Sequence, residues 1–263
     1  MASNMELPEG LIIEDLEIPR RAIVDFIREY LKRSGLEGII LGLSGGIDSA
    51  LVTTLATEAL GPDRVRVMLL PVYEEKDEQN INDAKLLIQQ LGITSVMFEL
   101  KDAVAAFHPL ELDKICLGNV AARLRMITLY AMANKHRLLV GGTGNRSEIL
   151  TGYFTKYGDG ACDILPIAGL YKVNVRRLSA HLGIPKQIVD KVPSAGLWAN
   201  QTDEGELGIT YDELDSVLFL RFDQGFEFDA IVEWGIEKKK VERVYNLIKT
   251  SQHKRNPIPT PEL

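Results

Sequence analysis

The chain has 263 residues, of which 46% are hydrophobic and 25% are charged, enough for one large α/β domain that buries a sizeable core. Its formal net charge of −7 argues against a protein that binds nucleic acid through a broad basic surface. Because no apolar run approaches the length of a membrane span and residues 1–10 lack the apolar core of a signal peptide, we expect a cytoplasmic protein with no membrane partner.

The first half of the chain alternates between helical and strand patterns. Apolar residues fall at helical spacing from Ile23 to Leu31, and Gly35 supplies a stop, so the pattern predicts a helix over 17–35. Strands are predicted at 38–43, 64–71, 94–100 and 137–142. Further helices are predicted at 48–62, 80–92 and 119–136. This alternation predicts parallel βαβ units in an α/β fold, with a doubly wound, mostly parallel sheet and helices on both faces.

Beyond residue 170 the pattern changes to shorter helices, predicted at 173–183, 185–192, 210–221 and 237–255. The polar segment 194–208 has no periodicity, and a loop of that length is typical of a lid or a binding loop. The acidic segment 72–80 is a second candidate mobile loop, although its charge favours a plain solvated surface equally. We therefore expect a single domain, 1–263, made of an N-terminal helical segment, an α/β core and a helical C-terminal part, at 1–36, 37–170 and 171–263.

A glycine-rich stretch, LGLSGGIDSA, follows the first predicted strand. Gly45 and Gly46 let the backbone turn several N–H groups toward one point, and the following helix adds its positive N-terminal end. Ser44 and Ser49 can donate further hydrogen bonds. The stretch lacks both the Walker A ending and the GxGxxG spacing. It predicts a phosphate site at the carboxyl edge of the sheet, where ligands bind in such folds.

Asp48 allows two interpretations of this stretch. A carboxylate beside a phosphate repels it unless a cation lies between them, which favours Mg²⁺, but aspartate is also a favoured helix cap. Glu148, shortly after the second glycine loop at 141–144, is a candidate for the other Mg²⁺ carboxylate. Arg123 and Arg125 are candidates for binding phosphate or carboxylate, with a solvated helix face as the alternative.

The cysteines and histidines give no sign of another kind of site. Cys116 and Cys162 form no CxxC pair, and the four histidines lack the spacing of metal ligands. This pattern favours a reducing compartment and offers no convincing set for nucleophilic catalysis.

Five stretches, taken in order, resemble the NAD synthetases: SGGIDSA, GNVAARLRM, GGTGNRSEILTGYFTKYGDGACDILPIAGLYK, PSAGLWANQTDEGELGITYDELD and the late HKR. The match runs from about Leu41 to Arg255, nearly the whole chain. The SGGxDS loop by itself indicates only the N-type ATP pyrophosphatase superfamily, whereas GYFTKYGDG together with QTDEGELG indicates the synthetase. The resemblance implies an adenine nucleotide alpha-hydrolase-like fold.

The resemblance also implies an ATP site and a Mg²⁺ site. The positions that match ATP-binding residues of the family are Gly42, Leu43, Ser44, Gly45, Gly46, Ile47, Asp48, Ser49, Thr143, Lys172 and Ser194. Asp48 and Glu148 would bind Mg²⁺, and the catalytic set would be Asp48, Lys172 and Asp163. The family has Thr or Ser at the last ATP-binding position, so Ser194 conforms.

Deamido-NAD is the second substrate that the resemblance implies. The matching positions are Tyr30, Arg123, Lys156, Asp163, His253 and Lys254. In the implied reaction, ATP adenylates the nicotinate carboxylate, pyrophosphate leaves, and ammonia attacks the acyl-adenylate to give NAD and AMP. Lys172 would neutralise charge on the phosphates, and we predict that Asp163 helps to orient or deprotonate ammonium.

The source of ammonia and the oligomeric state follow from the same resemblance. Glutamine-dependent relatives carry an additional amidase domain, for which this chain has no room, so we expect the ammonia-dependent form or a subunit fed by a separate glutaminase. The family is typically a homodimer, and helix 118–135 is a candidate interface element or ordinary core. Two alternatives stay open: another ligase of the superfamily, and a non-catalytic protein that binds or senses adenine nucleotides.

Overall fold

The computed structural model of the chain describes residues 6–72, 74–194, 196 and 201–262, with the backbone alone at 74–77. The strands are β1 (Gly38–Gly42), β2 (Val65–Leu69), β3 (Thr94–Met97) and β4 (Leu138–Gly141). Within the described residues they form one sheet, in the order β3–β2–β1–β4, and every pairing is parallel. The predicted α/β fold with a parallel sheet is confirmed.

The helices are α1 (Glu17–Ser34), α2 (Ile47–Leu60), α3 (Glu74–Leu91), α4 (Lys101–Ala105), α5 (Lys114–His136), α6 (Arg146–Thr151), α7 (Lys172–His181), α8 (Lys186–Val189), α9 (Asp203–Leu207), α10 (Tyr211–Phe222), α11 (Phe228–Glu233), α12 (Lys238–Thr250) and α13 (Gln252–Arg255). None of the helices in the described part of the chain combines the length and apolar character needed to cross a membrane. The single-domain division into three parts stays a prediction.

The strands β1, β2 and β4 are largely buried on both faces, whereas the edge strand β3 is exposed. Side chains of a strand point alternately to opposite faces. Ile39 and Leu41 of β1 therefore join the core formed with α1, α2 and α7, while Ile40 joins the core formed with α4 and α5. This two-sided burial is what a doubly wound parallel sheet requires. The C-terminal helices α10 to α12 build a further core around the wholly buried Tyr211.

The strand order places the candidate site. The chain runs from β1 outward to β2 and β3, and then returns to the other side of β1 as β4. Such a switch point opens a crevice beyond the carboxyl ends of the two central strands. A Cβ atom at Gly141, the end of β4, would lie 2.4 Å from Leu41 Cδ2 of β1, so that buried side chain would have to shift to accept any other residue there. The two glycine loops of the sequence thus meet at one edge of the sheet.

Several predicted boundaries are wrong. Helix α3 begins at Glu74, so the segment 72–80, predicted as a loop, is helical from there on, and residue 73 lies outside the described residues. Glutamate, lysine and glutamine are good helix formers, and a run of charged residues fits a helix as well as a loop. The helix predicted over 237–255 is divided at Ser251, whose hydroxyl donates back to Leu247 O at 2.6 Å.

Candidate active site

A cavity of about 510 Å³ opens at the carboxyl edge of the sheet. Its walls come from the loop after β1, the loop after β4 and residues 191–194, 196, 201, 203 and 206. Of the predicted site residues, it is lined by Gly42, Leu43, Ser44, Gly46, Ile47, Asp48, Ser49, Thr143, Glu148, Lys172, Ser194 and Lys254. The structure therefore brings together nearly all of the residues predicted for ATP and Mg²⁺.

The loop between β1 and α2, residues 43–46, is called the phosphate loop. Ser44 of this loop and Ser49 of α2 hold it in shape. Ser49 Oγ accepts from Ser44 N at 3.2 Å and donates to the carbonyl oxygen of Gly46 at 3.0 Å. These bonds close the loop over the first turn of α2, which lines the cavity. The side chains of Leu43 and Ile47 are buried in the core, so only their main chain can contact a ligand.

Asp48 does not cap α2. The N-cap residue is Gly46, and no side chain caps that end of the helix. Asp48 instead accepts from Asn145 Nδ2 at 2.9 Å and from Lys172 Nζ at 2.5 Å. The capping interpretation of Asp48 is therefore wrong, and its carboxylate belongs to the cavity.

Lys172 lies between two carboxylates. Its side chain is buried at the start of α7, with Nζ 3.6 Å from Glu148 Oε1 as well as in contact with Asp48. Burial alone would lower the pKa of Lys172, but the two carboxylates outweigh it and hold the pKa above its ordinary value. Burial and the nearby Asp48 raise the pKa of Glu148 to about 8. One ammonium group thus pairs with two acidic groups.

The donor chemistry at this point fits a hard divalent cation. Asp48 and Glu148 offer carboxylate oxygens, the ligands that Mg²⁺ prefers, and Mg²⁺ commonly takes one or two carboxylates plus phosphate and water. Among the residues that the structure describes, no three acidic, histidine or cysteine side chains gather closely enough to form a metal site by themselves. The remaining ligands would therefore come from ATP and water.

The segment that contains α9 closes one side of the cavity. Asp203 Oδ2 accepts from Tyr211 OH at 3.0 Å, and Glu206 Oε2 accepts from Tyr153 OH at 2.7 Å. The predicted loop 194–208 is therefore helical at 203–207, while 195 and 197–200 lie outside the described residues. A signal for this helix was present: Thr202 followed by acidic residues is a common helix start.

The basic residues predicted for deamido-NAD form a chain of contacts beside the cavity. Lys254 Nζ donates to Phe154 O at 2.7 Å and to Gly152 O at 2.7 Å. Lys156 Nζ donates to the carbonyl oxygen of His253 at 2.8 Å. Arg123 Nε in turn donates to the carbonyl oxygen of Lys156 at 3.3 Å. Arg123, Lys156, His253 and Lys254 therefore lie together, around the loop after α6.

The other two predicted substrate residues lie elsewhere. Tyr30 is half-exposed on α1, with its ring centre 6.0 Å from that of Phe26. Asp163 accepts from Tyr130 OH at 3.0 Å and from Val140 N at 2.7 Å, which ties it to α5 and β4. Neither residue lines the cavity formed by the described residues, so their roles stay predictions.

Sequence reasoning missed the residues that hold the site together. Asp215 on α10 is buried and accepts from Ser147 Oγ at 2.5 Å and from Val173 N at 2.9 Å. These bonds fix α6 and α7, which carry Glu148 and Lys172. Burial raises the pKa of Asp215 to about 7. Asp215 follows Ser147 by 68 positions, so no local pattern could have revealed the pairing.

Comparisons with known proteins agree with this geometry. The model of the NAD synthase family matches residues 20–258. The NH(3)-dependent NAD(+) synthetase of Pyrococcus horikoshii is 47% identical over 237 residues, which covers 89% of this chain and 91% of that protein. The solved structure of NMN synthetase from Francisella tularensis aligns with a TM-score of 0.84 at 36% identity, covering 95% of this chain and 100% of that one. For the NH3-dependent NAD synthetase from Campylobacter jejuni the TM-score is 0.81 at 30% identity, covering 95% and 100%. The chain belongs to the NAD synthase family.

Proposed function

We infer that the chain is a ligase that amidates deamido-NAD with ammonia to give NAD, the last step of NAD biosynthesis. ATP is the co-substrate, the intermediate is an acyl-adenylate, and AMP and pyrophosphate are released. The observation that carries this inference is the buried Lys172, which pairs with the half-buried carboxylates of Asp48 and Glu148 at the phosphate loop. A protein that only binds an adenine nucleotide has no need for a buried lysine shared between two carboxylates.

Adenylation needs charge stabilisation more than it needs a nucleophile. The nicotinate carboxylate attacks the α-phosphorus of ATP, and negative charge grows on the departing pyrophosphate. The N–H groups of the phosphate loop and the ammonium of Lys172 would stabilise that charge, because they are fixed before ATP arrives. Asp48 and Glu148 would hold Mg²⁺, which supplies further neutralisation of the phosphates when bound.

The acyl-adenylate must then meet ammonia rather than water. Segment 201–207 packs on the cavity through Asp203 and Glu206, and we propose that it shields the intermediate from hydrolysis. Arg123, Lys156 and Lys254 would bind the dinucleotide beside the ATP site. The roles proposed for Tyr30 at the nicotinate and for Asp163 at ammonium rest on the family resemblance.

We further propose that the enzyme is a homodimer, with α5 at the interface. One face of α5 packs on the sheet through Met126 and Leu129, while Ile127 is 63% exposed on another face. Arg123 lies on the same helix, which would bring a substrate residue close to the second copy. Light scattering is expected to give twice the mass of the chain. The cytoplasmic location stays a prediction.

One assay tests the function directly. The purified protein is incubated with ATP, Mg²⁺, deamido-NAD and ammonium, and NAD, AMP and pyrophosphate are measured; equal amounts of the three are expected. Glutamine in place of ammonium should give no NAD unless a glutaminase is added. Nicotinate mononucleotide in place of deamido-NAD tests the activity named for the Francisella relative. ATP binding without either NAD or AMP would support a nucleotide sensor instead.

A further inference from the structure

A buried carboxylate lies behind the phosphate loop, outside the residues that the proposed reaction uses. Asp83, on α3, is wholly buried and accepts from Gln79 Nε2 at 2.8 Å and from Gln187 Nε2 at 3.0 Å. Lys191, just after α8, forms an ion pair with the same carboxylate. A buried charge is tolerated when it is paired and hydrogen-bonded, and these three donors meet that condition.

The ammonium group of Lys191 also reaches the phosphate loop. Its Nζ donates to the carbonyl oxygen of Gly45 at 3.0 Å and to Asn80 Oδ1 at 3.0 Å. Gly45 has a φ of +75°, and a Cβ atom there would lie 2.3 Å from the carbonyl oxygen of Asn80. The backbone of α3 therefore contacts Gly45 directly, while Lys191 holds its carbonyl oxygen.

Holding this carbonyl has a consequence for the next residue. The carbonyl of Gly45 and the N–H of Gly46 belong to one planar trans peptide, so they point in opposite directions. Fixing the oxygen of Gly45 therefore fixes the direction of the Gly46 N–H, which donates to Ser44 Oγ at 3.3 Å, and both Ser44 and Gly46 line the cavity. The charge of Lys191 is already matched by Asp83, so its role differs from that of a free phosphate-binding cation.

We propose that Lys191, held by Asp83, is a positioning residue that orients the Gly45–Gly46 peptide of the phosphate loop toward the pyrophosphate part of ATP. The proposal rests on the proposed function only for the identity of that ligand. Lys191 precedes the segment 194–208 by a few residues, so the same contact anchors the start of that segment to the phosphate loop.

Calorimetric titration of the full chain with pyrophosphate and, separately, with AMP tests the proposal. In Lys191→Met, pyrophosphate affinity should fall roughly tenfold or more, the scale of a lost charge-assisted hydrogen bond, while AMP affinity stays within about twofold. The KM for ATP should rise by a similar factor with a smaller change in kcat. The matched control is Lys186→Met: Lys186 also pairs with an aspartate, Asp190, but its side chain is 86% exposed. This control should match the wild type.

A second variant separates positioning from direct phosphate contact. Asp83→Asn removes the charge that holds Lys191 while keeping the shape of the side chain. A positioning role predicts that pyrophosphate affinity falls by roughly threefold, because Lys191 is no longer fixed. If Lys191 instead acted as a direct phosphate cation, its release from Asp83 would raise pyrophosphate affinity, and that result would overturn the proposal.

The remaining outcomes are also decisive. Unchanged pyrophosphate affinity in folded Lys191→Met, or equal losses for pyrophosphate and AMP, would contradict the proposal. If circular dichroism shows that the methionine variant is unfolded, Lys191→Gln takes its place; its amide can still donate one hydrogen bond but lacks the charge, so a smaller loss confined to pyrophosphate is expected, and an equal loss for AMP would contradict the proposal. Pyrophosphate binding needs no turnover, so failure of the amidation assay would leave this test intact.

Discussion

The two sides of the cavity are built on different principles. On the phosphate side, charged side chains pair with one another, as the buried Lys172 does with the half-buried Asp48 and Glu148. On the deamido-NAD side, Arg123 is exposed and Lys156 is half-buried, and their hydrogen bonds go to main-chain carbonyl oxygens. The charged side chains of the phosphate side are therefore held in position before a ligand binds. The cations of the deamido-NAD side remain available to a ligand or to a second subunit.

The difference has a physical cause that can be tested by removing charges. Buried charges interact strongly and leave an unpaired partner when one is deleted. Exposed charges are screened by water, so each contributes less. Substitutions that remove a charge on the phosphate side should therefore affect both turnover and stability. Substitutions that remove a charge on the deamido-NAD side should affect substrate affinity alone.

The largest effect is expected at Lys172. Lys172→Met removes a fixed positive charge from the phosphates, and kcat should fall about 10³-fold, as when a buried charge-stabilising donor is lost. The two carboxylates lose their shared partner, so the melting temperature should also fall in the absence of ligand. Kinetics with saturating ATP and a thermal melt check both effects. A variant with normal kcat would remove Lys172 from the proposed chemistry.

A pH effect on stability should come from Asp215. Its pKa is raised to about 7 in the folded chain, so between the ordinary carboxyl value and pH 7 the folded state holds a proton that the unfolded state releases. Stability from this group is complete at low pH and is lost as pH rises toward 7, by up to about 1.4 kcal/mol per pH unit. Urea unfolding at pH 5 and pH 7 should show a smaller decline in Asp215→Asn than in the wild type. Equal declines would show that Asp215 does not supply this slope.

Glu148 should affect the metal more than the fold. Glu148→Gln is expected to raise the Mg²⁺ concentration for half-maximal activity roughly tenfold, because a carboxylate ligand is lost. Glu213→Gln is a matched control, since both glutamates occupy the third position of a capping box, with Asn145 and Thr210 as the respective caps. The control should change stability by a similar amount and leave the Mg²⁺ requirement unaltered. A shared shift would assign the effect to helix capping.

The smallest effect is expected on the deamido-NAD side. Arg123→Ala should raise the KM for deamido-NAD by roughly fivefold, the scale of one exposed charge-assisted hydrogen bond, without changing the KM for ATP. Lys135→Ala, an exposed lysine near the end of the same helix, is the control and should change neither value. If Arg123→Ala raised the KM for ATP instead, the division between the two sides would be wrong.

Local patterns predicted the sheet and the phosphate loop well. The apolar runs at 38–43 and 64–71 are strands because both faces of the sheet are covered, and the glycines after β1 lie where the switch point requires them. The start of α3 was missed because charged residues are compatible with both a helix and a loop. For the strands, the phosphate loop and the start of α3, the local conformation depends mainly on residues nearby in the sequence.

The supporting residues could not be predicted in this way. Asp83 has the sequence context of an ordinary helix residue, yet it is buried and paired with Lys191, more than a hundred positions away. Asn145 is predictable as a helix cap, but its second bond, to Asp48, spans 97 positions. Only the folded chain brings such pairs together, so sequence patterns could predict candidate ligand-binding groups but not the groups that orient them.

The sequence separation of the site contacts sets an order for their formation. Asp48 and Lys172 are 124 positions apart, and Lys254 and Gly152 are 102 apart. Closing long loops costs entropy, so contacts between distant residues depend on much of the chain having already collapsed. During synthesis, the phosphate side can be completed once α10, which carries Asp215, has emerged, whereas the deamido-NAD side must wait for α13. A growing chain is therefore expected to acquire affinity for pyrophosphate before it acquires affinity for deamido-NAD.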